Sequence, residues 1–231
     1  MPRVNRPIGY ATAMSASFIR LDPALWAEVD LAATPGPQVL ADALDELRDS
    51  GCRAVTFTGE PSFDFDPVWL RSFELFPLPT LFAFEGQLAG SAFQLAIHCD
   101  IRICSEPATM RVSGIGGHRM LRLAGPETTV DLLRVRGQAD SALALTAGLV
   151  SEVTPAGEAL DYARRLAATI ASRGPIATQL AKEALWRGLE MPLAQGLRME
   201  TDLTLLLQTT KDRAEGVAAF LEKRQPRFTG D

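Results

Sequence analysis

The amino-acid sequence predicts an α/β fold in which short buried strands and amphipathic helices repeat as a strand-strand-helix unit. Three observations support this prediction. The run TLFAF, Thr80 to Phe84, has the length and aromatic content of a buried strand. The run RAVTFT, Arg53 to Thr58, is a second such strand and follows a helical stripe at residues 38–50. The order strand, helix, strand occurs again at residues 80–104, and this repetition is typical of helices layered on a sheet.

The elements before residue 53 are predicted from periodicity and turn residues. Residues 17–21 and 26–31 alternate between apolar and polar, and Asp22-Pro23 lies between them, which predicts two short antiparallel strands. From Gln38 to Ser50 the apolar residues fall on one helical stripe, and Gly51 supplies the stop. The first of the two units therefore runs from this helix into the strand at Arg53.

The composition limits the classes of function. With 231 residues, 47% of them hydrophobic, the chain can bury the core of one large domain, with or without a helical appendage. A net charge of −5 without a basic cluster disfavours nucleic acid as a partner. We interpret Arg119 with Arg122, and Arg134 with Arg136, as solvated helix faces; contact with phosphate is the alternative.

The cysteines and the hydropathy indicate a soluble cytoplasmic protein. Cys52, Cys99 and Cys104 lie in apolar segments without the spacing of metal ligands, so we expect reduced, buried thiols and no metal site. Residues 1–14 lack the apolar core of a signal peptide, and no run reaches ~18 apolar residues. We therefore expect no membrane partner.

The stretch PTLFAFEGQLAGSAFQLAIHCDIRICSE, residues 79–106, is the most informative part of the chain. After the strand at Thr80 to Phe84, Gly86 breaks the extended run and small residues lead into a short apolar helix that starts near Gly90. The first N–H groups of this helix and its positive dipole end are suited to a developing negative charge, such as a thioester enolate oxygen.

This stretch resembles the crotonase (enoyl-CoA hydratase/isomerase) superfamily. The resemblance rests on Glu85-Gly86, on Gly90 to Ala96 (GSAFQLA) and on Cys99-Asp100, and it extends over about residues 52–231. It implies a crotonase-like spiral of strand-strand-helix repeats over residues 1–156. Residues 157–231 would be a C-terminal helical region that covers the active site and mediates a trimer or a hexamer. Four helices are predicted in this region: 158–172, 175–189, 192–208 and 211–224.

The resemblance also implies where a thioester carbonyl would be polarised. Family enzymes use two backbone N–H groups; Gly90 and Ser91 match the turn that carries the first. The second position falls on Pro67, or on Asp66 with a shift of one residue. Because proline has no N–H group, the site would lack one donor, which is worth about 3 kcal/mol of transition-state stabilisation.

The positions of the two usual catalytic glutamates differ from the family pattern. The first falls on Gln94, whose amide cannot accept a proton from water, and the second falls in a shortened loop, residues 109–115, without an acidic residue. The family's coenzyme A-binding N-R-P segment has no convincing match either, since Asn5-Arg6-Pro7 lies too near the start of the chain. The sequence therefore predicts a divergent member that lacks both glutamates.

Replacement catalytic groups are His118, Asp64 and Asp66. His118 follows a Gly-Gly pair at a predicted helix start, where an uncharged imidazole would be a competent base; a residue that merely begins the helix is the alternative. Asp64 and Asp66 flank the second oxyanion position, although aspartate before proline is also ordinary turn chemistry. His98 is read as a core histidine and Asp100 as part of the scaffold.

Two functions of different classes remain open. The first is an enzyme, a lyase or isomerase without a cofactor, that acts on an acyl thioester of coenzyme A or of an acyl carrier protein. Isomerisation, decarboxylation or another lyase step is favoured over two-glutamate hydration. The second is a non-catalytic subunit or scaffold that assists a partner enzyme.

Overall fold

Two sheets form the framework of the computed structural model, which describes residues 17–112 and 116–231. The larger sheet has six strands in the spatial order β1-β2-β3-β4-β6-β9, and the smaller has the order β5-β7-β8. The strands are β1 (Ile19–Asp22), β2 (Trp26–Asp30), β3 (Ala54–Thr58), β4 (Thr80–Phe84), β5 (Gln87–Leu88), β6 (Ile101–Ser105), β7 (Thr109–Arg111), β8 (Gln138–Asp140) and β9 (Glu152–Thr154).

Helices cover the larger sheet and make up most of the chain after β9. They are α1 (Pro37–Asp49), α2 (Pro67–Phe73), α3 (Gly90–His98), α4 (Gly117–Asp131), α5 (Ser141–Thr146), α6 (Ala159–Ala171), α7 (Pro175–Gly188), α8 (Leu193–Gln208) and α9 (Lys211–Glu222). The predicted α/β fold with a C-terminal helical region is confirmed. The two N-terminal strands, the strands β3 and β4, and α1, α3 and α6–α9 begin and end within two residues of their predicted bounds.

The parallel strands of the large sheet explain why their sequences lack polar alternation. Four of its five strand pairs, from β2 through β9, are parallel, and only β1 and β2 pair antiparallel. All five residues of β4 are buried. A parallel sheet with helices on both faces buries both sides of its central strands, so nearly every position is apolar.

Alternate residues of the strands pack into two separate hydrophobic cores. Phe57 and Phe82 face the larger core, which α1, α2 and α3 help to fill. Leu81 and Ile103 face the other side of the sheet, where α6 packs through a stripe of alanines: Ala159, Ala163, Ala167 and Ala171. The four-residue spacing puts these small side chains on one helical face, so α6 can lie close to the sheet.

The segment between α3 and β9 contains helices and one short strand that the sequence does not indicate. A kink at Gly125, where φ is +75°, interrupts α4, and a π-helical turn (Leu132–Arg136) follows. Next comes β8, which pairs antiparallel with β7. Three residues with one buried position, Ala139, are too short a run to show strand periodicity, so only the long-range pairing identifies this strand.

A partly buried network around Asp100 joins α7 to the sheet. Its carboxylate accepts hydrogen bonds from the backbone N and Oγ1 of Thr80, at 2.7 and 2.9 Å, and from Trp186 Nε1 at 2.7 Å. Lys182 Nζ lies 2.7 Å from the same carboxylate and donates to the carbonyl oxygen of Leu78 at 2.9 Å. Asp100 is thus part of the scaffold.

Some sequence-based expectations fall outside the described residues. They concern the absence of a signal peptide in residues 1–14, the tripeptide Asn5-Arg6-Pro7 and the end of the shortened loop, residues 113–115. Within the two described ranges, no helix has both the length and the apolar content that crossing a bilayer requires. The three cysteines in those ranges are free and buried.

We expect Asp100→Ala to lower the free energy of unfolding by about 3–5 kcal/mol, because it leaves the Lys182 ammonium buried without its counter-ion. Urea denaturation would measure the change. The double variant Asp100→Ala/Lys182→Met should recover part of this loss, since it removes the unpaired charge. Asp161→Ala, which breaks an exposed pair with Arg164, is the control and should cost less than about 0.5 kcal/mol. Equal stability of Asp100→Ala and the control would contradict this account.

Candidate active site

Helix α3 begins at a backbone geometry that suits glycine. Gly90 has φ of +54°, and the preceding residue, Ala89, provides no side-chain cap. Ser91 is buried in the first turn, where N–H groups have no carbonyl four residues earlier to bond. The predicted start of this helix is therefore confirmed, and its first N–H groups lie at the positive end of the helix dipole.

A carboxylate lies directly against this helix start. Ser91 Oγ donates a hydrogen bond of 2.6 Å to Oδ1 of Asp64, which precedes α2. This length is typical of an O–H···O⁻ bond. The structure therefore brings Ser91 and Asp64 together, 27 residues apart in sequence.

Asp66 and Pro67 form the beginning of α2. Oδ1 of Asp66 accepts from the backbone N atoms of Val68 and Trp69, at 2.7 and 3.1 Å, and so caps the helix. Pro67 is the first helical residue, a position where the missing N–H group costs no hydrogen bond. The geometry thus gives Asp66 a structural role that its sequence before proline also predicted.

One face of α3 carries a polar stripe in an otherwise apolar helix. Ser91, Gln94 and His98 are spaced i, i+3 and i+7, which places them on the same side. Gln94 is buried, and its Oε1 has no hydrogen-bond partner among the described residues. His98 Nδ1 lies 2.7 Å from the carbonyl oxygen of Gln94. Because a carbonyl only accepts, Nδ1 carries the proton and Nε2 presents its lone pair.

Nε2 of His98 faces Glu74 at the end of α2, with Oε1 3.5 Å away. Burial lowers the pKa of His98 and raises the pKa of Glu74. Both shifts favour the uncharged forms, since desolvation disfavours charge. His98 is thus a largely buried histidine with a bonded ring nitrogen, as the sequence predicted, and its second ring nitrogen lies near Glu74.

The pair borders a cleft of about 870 Å³, called here the α3 cleft, between α2, the end of α3, the start of α4 and the end of α7. His118, the second residue of α4, is exposed and lines it, which confirms the predicted helix start. The lining residues are Pro67, Arg71, Glu74, His98, Gly116, Gly117, His118, Arg119, Leu121, Arg122, Thr129, Val130, Trp186, Leu189 and Glu190. The structure thus groups His118 with His98 and Glu74, whereas Asp64 lies with Ser91.

Arg119 corrects one sequence interpretation. It was assigned to a solvated helix face, but its side chain is only 10% exposed. The guanidinium lies 3.7 Å over the ring of Trp186, and Nε donates to the carbonyl oxygen of Ile97 at 3.2 Å. Burial lowers the pKa of Arg119 to about 10. The sequence does not show this burial, because it arises from a tertiary contact with Trp186 of α7. Arg122, paired with Glu190 at 3.0 Å, stays partly exposed as expected.

Within residues 17–112 and 116–231, no three His, Cys, Asp or Glu side chains gather as metal ligands would. The acidic and imidazole groups of the site instead form pairs with hydroxyl, amide and guanidinium partners. Burial raises the pKa of Cys52 and Cys104 to about 11, so these thiols are poor nucleophiles.

Comparison with known proteins gives consistent results. The family model "Enoyl-CoA hydratase/isomerase" matches residues 47–231. The "Probable enoyl-CoA hydratase 2, mitochondrial" of Arabidopsis thaliana is 37% identical over 167 residues, which make up 68% of this chain and 56% of that protein. A probable enoyl-CoA hydratase of Mycobacterium bovis is 35% identical over 184 residues, or 76% of this chain and 71% of that protein. The crystal structure of an enoyl-CoA hydratase from Bacillus anthracis superimposes with a TM-score of 0.78 at 26% identity, covering 93% of this chain and 100% of that one. The chain spans little more than half the length of the Arabidopsis relative.

Proposed function

Since the chain belongs to the enoyl-CoA hydratase/isomerase family, we propose that it is a divergent enzyme of this family that acts on an acyl thioester. The carrier is coenzyme A or an acyl carrier protein, and the reaction is an isomerisation, a decarboxylation or another lyase step. The observation that carries the proposal is the start of α3, where Ser91 lies in a turn formed by Gly90 and Asp64 lies against its hydroxyl.

The thioester carbonyl accepts a hydrogen bond from the N–H group of Ser91 at the positive end of α3. Pro67 supplies no second N–H group. Asp64, which is bonded to Ser91, is the first candidate for the proton carrier beside the acyl group. His118 is the second candidate, because it lines the adjacent cleft. We assign Asp66 to capping α2.

Hydration by two glutamates is disfavoured in this proposal. Gln94 stands at the position that the family resemblance assigns to the first base, and an amide does not accept a proton from water. The second position falls in the loop at residues 109–115, which has no Asp or Glu. A proton moved within the substrate, or a bond broken beside the carbonyl, needs only one carrier.

A non-catalytic subunit is the alternative function. Pro67 at the second donor position and the absence of a recognisable coenzyme A-binding segment in the sequence favour it. In that case the start of α3 holds a thioester, or nothing, while a partner enzyme performs the reaction. A titration with a panel of acyl-CoA esters, followed by mass detection of products, separates the two. Binding without any product would favour the subunit; a new product supports the enzyme.

We also propose a trimer or hexamer in the cytoplasm. Helix α8 buries none of its residues in the single chain, and Leu185, Leu193 and Leu197 of α7 and α8 are 72%, 79% and 54% exposed. An isolated amphipathic helix is marginal in water, so this apolar surface is expected to pack against other copies. The free, buried cysteines suit a reducing compartment.

We expect crotonyl-CoA to be hydrated no faster by the wild-type protein than by Gln94→Ala, because neither has a carboxylate at that position. Absorbance of the enoyl thioester would follow the reaction. Fast hydration by the wild-type protein that Gln94→Ala abolishes would overturn the proposed departure from two-glutamate chemistry.

On any substrate found in the acyl-CoA panel, Asp64→Asn and His118→Ala should each lower kcat by ~100-fold if that residue carries the proton. Affinity for the thioester and the assembly state should stay unchanged. Glu127→Ala, an exposed change elsewhere on α4, serves as the matched control. Unchanged turnover in His118→Ala would reduce this residue to a helix-start role, and unchanged turnover in both variants would exclude both assignments.

Light scattering should give a mass three or six times the 25.0 kDa of one chain. The double variant Leu193→Asp/Leu197→Asp should dissociate the assembly, because it places charge in the apolar surface. Val135→Asp, at a residue 77% exposed in the π-helical turn, is the control. A wild-type monomer at micromolar concentration would refute the proposed assembly.

A further inference from the structure

The hydroxyl group of Ser91 lies against a base. Its Oγ donates a hydrogen bond of 2.6 Å to Oδ1 of Asp64, and an O–H···O⁻ bond of this length draws the proton toward the carboxylate. Serine is a weak nucleophile until an adjacent base accepts its proton. Asp64 is exposed, so it can pass that proton on to solvent or to a leaving group. The pair therefore contains the two groups that a nucleophilic serine requires.

The start of α3 is open to a ligand on the side of Gly90. This residue is exposed, whereas Ser91 beside it is only 8% exposed. Apart from its chain neighbours and the backbone of its own helix, the nearest described atom to a Cβ built on Gly90 is Oε1 of Glu60, at 4.0 Å. A carbonyl group can therefore approach the backbone of this turn closely.

The first turn of α3 supplies donors for an oxyanion beside this hydroxyl group. The intrahelical hydrogen bonds begin with the N–H group of Phe93, which donates to the carbonyl oxygen of Ala89 at 3.0 Å. The N–H groups of Ser91 and Ala92 come before it and have no carbonyl four residues back in the helix. They lie at the positive end of the helix dipole. An oxygen that becomes negative when Oγ attacks a neighbouring carbonyl carbon is stabilised at this position.

Gln94 is an unpaired polar group on the same face of α3. It is 6% exposed, and its Oε1 has no hydrogen-bond partner among the described residues. It lies one turn after Ser91, and helical side chains lean toward the N-terminal end, so its amide points to the turn that carries the hydroxyl group. A buried polar atom without a partner is rare in a folded protein. A ligand bound beside Ser91 would provide the missing partner.

From these observations we propose that Ser91 is a nucleophile, and that the protein hydrolyses an acyl thioester through an acyl-serine ester. Oγ bonds to the thioester carbonyl carbon while its proton passes to Asp64. The C–S bond then breaks, and the sulfur takes this proton and leaves as a free thiol. Water attacks the ester carbonyl carbon and gives a proton to Asp64, which returns it to Oγ as the carboxylic acid is released. This inference rests on the proposed function, because it needs a thioester bound at the start of α3.

The first test uses a fluorophosphonate, which bonds to a nucleophilic serine with loss of fluoride and needs no thioester. Intact-mass spectrometry and peptide mapping should find one adduct, at Ser91. Ser91→Ala should give none, and Asp64→Asn, which keeps an acceptor for the hydroxyl group, should react at least about tenfold more slowly. Ser62→Ala removes an exposed serine of the same loop and should behave as wild type. A folded wild-type protein without an adduct at Ser91 would overturn the inference.

The second test measures the free thiol released from octanoyl-CoA. Ser91→Ala should lower this rate by ~100-fold, and an acid quench of the wild-type reaction should trap octanoate as an ester on Ser91. Release that is unchanged in Ser91→Ala would refute the inference. An isomerised or decarboxylated product whose thioester stays intact, formed equally by Ser91→Ala, would refute it too while the proposed function stands. Labelling of Ser91 without turnover of any thioester would refute the proposed function and keep Ser91 as a nucleophile for another acyl group.

Discussion

The ion pair between Asp100 and Lys182 is the interaction on which the position of the site depends. Asp100 directly follows the end of α3, and its carboxylate also binds Thr80 of β4 and Trp186 of α7. One half-buried carboxylate therefore joins the sheet, the end of α3 and α7. Because Trp186 is the surface on which Arg119 stacks, and both line the α3 cleft, this part of the cleft depends on the same carboxylate.

The polar stripe of α3 lowers the free energy of unfolding, so packing alone does not explain why polar residues stand there. Gln94 is buried with its Oε1 unpaired among the described residues, and such a group typically costs about 1–3 kcal/mol. A leucine at this position would pack in the core without leaving a polar atom unpaired. A buried polar group that lowers stability is characteristic of functional sites, where a side chain is kept for its chemistry and not for packing.

The sequence predicted most of the elements because their signals are local. The apolar run of β4, the glycine before α3 and the stripe of α1 each lie within about a dozen residues. Strand β8 was missed because three residues show no period, and Arg119 was misassigned because its burial comes from Trp186, 67 residues further on. The family resemblance suggested that Asp64 lies near Ser91, but their hydrogen bond is a tertiary contact that spacing does not specify.

Under the proposed function, the carboxylate of Asp64 beside the start of α3 has an electrostatic consequence for the kind of reaction. An ionised Asp64 would repel an enolate oxygen held by Ser91, which argues against a site that only stabilises the anion. If Asp64 instead removes the proton from the carbon next to the carbonyl, it becomes neutral as the oxygen gains charge. The net charge of the site then stays constant through the step, and a single N–H donor has less to stabilise. The same neutral acid can return the proton elsewhere on the acyl chain, which is the pattern of an isomerisation.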